Sequence, residues 1–396
     1  MLLQSSYYCF LAFIASSFFS PTARTIFLVA GLLLWAIASW REPTTFASIQ
    51  AGLSKDLQVL NRLFIIYICV NSVLAYMHDL SIFAWIKTLL GTYAQWFWAL
   101  ALLAGLKFDF QNKIRLTVIG VSSFTSVLIV LQLIGLVPMV GDYYGVLSQA
   151  FTSSGMILVG LFLSLAQFKS IPSTNRLTEK APFTNGTSAP HRSDNYRFAF
   201  GLASFVQLIA LFALGQRSVW AGLILSLLFY LIMTKQYLKK SFWLALVLLI
   251  LTGSFVISSS ERVGRKVERF ANPHYWTQAN SIKVRQELWQ INKEAWQAKP
   301  LTGINEIIKH EGLRHAHNIY FQQLYTGGWL RFIAWLSFYL VAGFFLFRRI
   351  TTAPEFFAIY IALSAEGVLE NWWGDSEVLS LFLVALILGL GKKYKE

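Results

Sequence analysis

The chain has 396 residues, of which 56% are hydrophobic and only 13% charged. Soluble domains carry about a quarter charged residues, so a water-soluble enzyme is excluded and a polytopic membrane protein is expected. The net charge of +14 is spread between apolar runs and not gathered into one domain, which argues for orientation in a bilayer over nucleic-acid binding.

Twelve apolar runs long enough to cross a bilayer as helices fall at about 3–20, 24–40, 62–78, 82–106, 115–137, 149–168, 196–214, 217–234, 241–258, 329–347, 353–370 and 376–391. The expected fold is therefore all-α. Nine helices occupy residues 1–257, a hydrophilic loop occupies 258–328, and three helices with a short tail occupy 329–396. The first charged side chain is Arg24 and no basic region precedes the first run, so that run is expected to stay as a helix and not to be cleaved as a signal. Cys9 and Cys69 lie inside apolar runs without metal or disulfide spacing, and read as packing residues.

The basic residues sort by side. With both termini cytoplasmic, the inner connections hold Arg41, Lys55 and Arg62, then Lys107, Lys113 and Arg115, then a cluster from Lys169 to Arg197. Lys235, Lys239, Lys240, Arg348, Arg349 and the terminal lysines follow. Short outer connections such as Met77-His-Asp-Leu-Ser81 and Glu370-Asn-Trp-Trp-Gly-Asp-Ser-Glu377 are nearly bare of positive charge. This is the positive-inside pattern, and it supports an even number of spans.

Two hydrophilic segments remain. The inner one, about 169–195, is rich in Pro, Ser, Thr and Asn and reads as a flexible linker. The outer one carries ten Lys and Arg against six Glu, an excess that suits an anionic ligand. Within it a helix is expected from Ser281 to Lys299, with Arg285, Trp289, Asn292 and Trp296 near one face. That face has two readings, an anchor in the headgroup layer or a surface that docks on the membrane domain.

The outer loop ends in His315-Ala-His-Asn-Ile-Tyr320, followed by Gly327-Gly328 and Arg331. A titratable base beside fixed positive charge suits chemistry on a phosphate-bearing substrate. Arg217, at the outer end of two spans, has no carboxylate near it in sequence. Its candidate partners are a lipid phosphate and a substrate pyrophosphate. Asn318 reads first as the cap of a helix beginning near residue 319, and second as a group that positions base or substrate. Gly327-Gly328 reads as a bend or a close approach. No phosphate-binding glycine loop, nucleophile elbow or convincing metal-ligand set is present, so neither metal nor cofactor is expected.

The His-Ala-His-Asn-Ile-Tyr and Gly-Gly elements, Arg217-Ser218 after a span, and Ser281-x-x-x-Arg285-x-x-x-Trp289 leading to Lys299-Pro-Leu-Thr-Gly303 together resemble the O-antigen ligase superfamily. That superfamily includes O-antigen ligases, O-antigen polymerases and protein O-oligosaccharyltransferases. The resemblance covers about 196–335; the first five spans match only in hydropathy. It implies metal-independent, inverting glycosyl transfer at the periplasmic face of the bacterial inner membrane. The donor it implies is a glycan on undecaprenyl pyrophosphate, and the acceptor is lipid A–core. On this resemblance His317 is the general base and Arg217 and Arg285 bind the pyrophosphate. Arg314, which no motif supports, is a third candidate phosphate contact; His315, Asn318 and Tyr320 are accessory. A ligase is preferred to a polymerase. From another class, a transporter or lipid flippase predicts charges in mid-span; Lys87 and Glu366 are its main candidates.

Overall fold

A computed structural model describes residues 2–41, 53–105, 107–138, 150–170, 190–235 and 280–391, with scattered positions between 238 and 272. Most of the expected span at 241–258, linker residues 171–189, Arg262, Lys266, Arg269 and the terminal lysines lie outside the described residues. The regular elements among the described residues are helices, with no strand among them. Seven of their helices are long and apolar enough to cross a membrane.

Helices α1 (Leu2–Ser17) and α2 (Pro21–Arg41) form a hairpin, with Pro21 at the first helical position, where its missing N–H costs nothing. Helix α3 (Lys55–Met77) starts at Ser54, whose hydroxyl accepts from Leu57 N at 3.3 Å. The run expected as one span at 82–106 is interrupted. It consists of α4 (Ile82–Thr88), a π-helical turn (Leu89–Tyr93) and α5 (Ala94–Gly105). Helices α6 (Lys107–Leu133), α7 (Ala150–Ser170), α8 (Pro190–Leu214) and α9 (Arg217–Thr234) follow. Helix α10 (Asn280–Gln297) belongs to the hydrophilic loop, and α11 (Ile319–Arg348), α12 (Pro354–Gly367) and α13 (Ser376–Leu390) close the bundle. From Val378 to Leu390 every residue of α13 is buried, as expected of a helix that is apolar all round and sits at the centre.

Polar contacts fall at two ends of this bundle. At one end Arg349 pairs with Asp56 (2.8 Å) and donates to Gly391 O, Ser54 donates to Leu390 O, and Arg115 faces Glu355. At the other, Arg24 pairs with Glu377 (3.3 Å), Thr152 donates to Asp375, and His78 meets Thr302 O (3.1 Å). Each contact joins connections that the charge alternation assigns to the same side.

Helices α9 and α12 run antiparallel. Gly222 lies so close to Ala362 that a Cβ there would come within 2.6 Å of its carbonyl oxygen, and the Phe229 and Phe357 rings are 5.1 Å apart. This register brings Arg217, the first residue of α9, to the end of the bundle where α12 stops at Gly367. Glu366, named above as a mid-span charge, sits in the last turn of α12 and not at its middle. It is fully buried, with no partner for either carboxylate oxygen among the described residues. The side chain of Lys87 lies outside the described residues.

Helix α11 is not straight. Gly328 takes φ 61° and ψ −166°, a conformation open essentially to glycine alone. The chain reverses there: Tyr320 and Trp335, 15 residues apart in sequence, bring their rings to 5.6 Å. In a straight helix they would be about 22 Å apart along the axis. The break frees four backbone groups, and the Lys299-Pro-Leu-Thr-Gly303 segment satisfies them. Tyr325 O and Thr326 O accept from Ile304 N and Asn305 N, while Trp329 N and Leu330 N donate to Pro300 O and Leu301 O. Gly303 and Gly328 leave no room for a Cβ, which would meet the opposing backbone at 2.5 and 2.3 Å. The span expected at 329–347 is thus the second arm of a V whose first arm is 319–327.

Candidate active site

His317 enters the V at its first arm. Its neighbours are pinned on both sides. Ala316 N donates to Gln322 Oε1 (2.9 Å), and Ala316 O accepts from the Trp289 indole. Asn318 Oδ1 caps the arm by accepting from Phe321 N (3.0 Å), while its Nδ2 donates to Val368 O (2.8 Å). Asn318 therefore has its capping role and also ties the arm to the end of α12. Between these fixed points His317 holds φ +48°, a left-handed conformation uncommon outside glycine. Such a backbone persists where its surroundings over-determine it, and it is a recurrent feature of functional sites.

The imidazole Nδ1 of His317 lies 2.9 Å from Glu370 Oε2. Glu370 Oε1 accepts from Arg285 Nη2 at 3.0 Å, and Arg285 Nη1 donates to Leu369 O. One carboxylate thus bridges base and guanidinium. All three side chains are largely covered, with 24% of His317, 14% of Glu370 and 24% of Arg285 exposed. An ionised carboxylate only accepts, so Nδ1 is the donor in this contact.

The sequence had marked His317 and Arg285 but not Glu370, which lies 53 residues beyond His317 in an aromatic turn. The available signal was a carboxylate-bearing connection, Glu370 to Glu377, opposite a loop rich in cations.

Arg217 lies at the same end of the bundle, half-buried at the start of α9. Arg314 and His315 are exposed beside the site. Partial burial, then His317 and Arg314, hold the His315 ring below the usual histidine range, so it is neutral at pH 7. Tyr320 is turned inward: it packs on Trp335 and points its hydroxyl at Ser364 O (3.5 Å), a wall of the V and not a group facing the base.

The face of α10 docks on protein. Trp289 packs against Phe321 at 5.2 Å, Asn292 accepts from Ile308 N at 2.8 Å, and Trp296 donates to Pro300 O. Among the described residues Glu287, His310 and Glu311 come within 4.8 Å of one another as a possible metal set. His310 and Glu287 already form an ion pair at 2.9 Å, and neither His315 nor His317 belongs to the group.

One end of the helical bundle thus gathers a carboxylate-paired histidine and two arginines. Residues 202–336 match the model of a family described as O-antigen ligase. The family covers ligases and polymerases, which are glycosyltransferase-like enzymes. The matched stretch contains Arg217, Arg285 and His317, while Glu370 lies beyond it. A search of curated proteins finds no match to the chain.

Proposed function

We propose that the chain is an O-antigen ligase. It transfers a glycan from undecaprenyl pyrophosphate to lipid A–core at the periplasmic face of the inner membrane, with both termini cytoplasmic. The observation that carries this reading is the His317–Glu370–Arg285 constellation, two of whose members lie in the family stretch.

Glu370 orients the imidazole so that Nε2 faces the acceptor. The acceptor hydroxyl oxygen attacks the anomeric carbon, and its proton passes to Nε2. The bond from that carbon to the phosphate oxygen breaks, with inversion, and undecaprenyl pyrophosphate leaves. Glu370 stabilises the imidazolium so formed, the role a buried carboxylate plays behind a catalytic histidine in hydrolases. Arg217 and Arg285 balance the charge that grows on the pyrophosphate, and Arg314 adds a third contact. A positioned base contributes about 10²–10⁴-fold, and the step requires no metal.

A lipopolysaccharide gel from a deletion strain complemented with the wild-type gene tests the assignment. Bare core with accumulated lipid-linked polymer in the deletion, restored by the gene, is the ligase result. Core capped by a single repeat makes the chain a polymerase. An unchanged ladder in the deletion overturns glycosyl transfer and leaves the transporter reading.

A further inference from the structure

Three residues beyond the Gly328 break, a second guanidinium sits apart from the His317 site. Arg331 folds back over Gly327: a Cβ on that glycine would lie within 2.2–2.5 Å of Arg331 Cβ, Cδ and Nε. The second glycine of the pair thus makes the V, and the first makes room for this side chain. Arg331 Nη1 donates to Thr326 Oγ1 at 2.9 Å, which points the guanidinium back toward the apex of the V. Its Nε is buried and has no hydrogen-bond partner among the described residues, and none of their carboxylates lies within ion-pair reach.

The surroundings are polar for a membrane bundle. Tyr93, the last residue of the π-helical turn, lies near Arg331 and meets the Tyr67 ring edge-on at 5.9 Å, and Tyr67 donates to Gln323 Oε1 at 3.1 Å. Trp329 and Leu330, flanking Arg331 in sequence, are exposed, so the group lies near the bundle's outer surface. An arginine cannot shed its charge, and beside hydrocarbon it needs an anion. Thr326 takes one of its five N–H donors. No protein carboxylate among the described residues supplies the countercharge.

We propose that Arg331 binds the phosphate of a membrane lipid, at a site separate from the His317–Glu370–Arg285 constellation. Its remaining Nη donors bind the phosphate oxygens, and Thr326 and Gly327 hold the fork in place. The phosphate comes from one of two sources: an ordinary anionic phospholipid, or the polyprenyl phosphate of a lipid-linked substrate. This inference does not depend on the glycosyl-transfer reading.

The test is a thermal-unfolding titration of the purified full chain in a phosphate-free maltoside detergent. Phosphatidylglycerol, undecaprenyl phosphate and, as a phosphate-free control, diacylglycerol are added in turn. Wild type should be stabilised by a phosphate-bearing lipid and not by diacylglycerol. Arg331→Gln should need about tenfold more of that lipid, or higher, for the half-maximal shift. A loss seen with both lipids assigns the site to phospholipid headgroups in general, and a loss confined to undecaprenyl phosphate assigns it to the substrate lipid. If Arg331→Gln does not fold, Arg331→Lys keeps the charge without the fork and should bind several-fold more weakly. Equal titration of variant and wild type, or no preference of wild type for phosphate, overturns the proposal.

Discussion

Glu370→Gln isolates what the carboxylate adds to His317. The substitution keeps the size of the side chain and removes its charge. One amide atom must now present N–H groups either to His317 Nδ1 or to Arg285. Two donors then face each other across one of the contacts of 2.9 and 3.0 Å. At an effective dielectric near 20, an imidazolium and a carboxylate about 4 Å apart attract by about 4 kcal/mol. The side chains are 24% and 14% exposed, and solvent screening reduces this figure. A charge-assisted hydrogen bond is worth about 1.5–3 kcal/mol, which corresponds to about 10–150-fold in rate. The effect should fall on kcat, because the charge on His317 develops in the transition state, while KM moves far less. Transfer from a synthetic lipid-linked glycan to lipid A–core by purified protein is the assay. A Glu370→Gln rate within about twofold of wild type would refute the positioning role.

Three further outcomes follow from other parts of the structure. Gly328→Ala places a Cβ within 2.3 Å of the Leu301 carbonyl at φ +61°; it should destabilise the fold by several kcal/mol, and an unchanged thermal midpoint would show that the V does not depend on this glycine. For Asp375, burial is the largest influence and pushes the carboxyl up from 3.8 to about 7. The folded chain therefore holds that proton more tightly than the unfolded chain. This stabilising contribution is full below 3.8 and is lost as pH rises through about 7. Asp375→Asn keeps the helix cap on Glu377 N and Val378 N and should remove that component from the pH dependence of Tm between pH 5 and 8; identical slopes would contradict it. Arg217→Gln should lower transfer by tenfold or more through the lost charge on the leaving pyrophosphate, with Tm nearly unchanged; normal transfer would remove Arg217 from the site.

The all-helical membrane fold was legible because apolar run length and basic-residue alternation are properties of local sequence. His317 was marked because a His-Asn pair before a helical run stands out in a chain this poor in polar residues. The helix start at 319 and its Asn318 cap were equally readable. The reversal at Gly328 was not: a glycine pair permits a bend, but its direction depends on Gly303 and the carbonyls of Pro300 and Leu301, which reach it through tertiary packing. Glu370 was missed for a related reason. Its partners are 53 and 85 residues away, and in sequence it is only the end of a span. The π-helical turn before Tyr93 left no periodicity that separates it from an ordinary helix.

The most direct test of the central claim is single-turnover transfer by purified wild type and His317→Ala, with folding of both checked by thermal unfolding. His317→Ala should keep its midpoint and its binding of lipid-linked glycan while its transfer rate falls by about 10²–10⁴-fold. A folded His317→Ala protein that transfers glycan at the wild-type rate would contradict it.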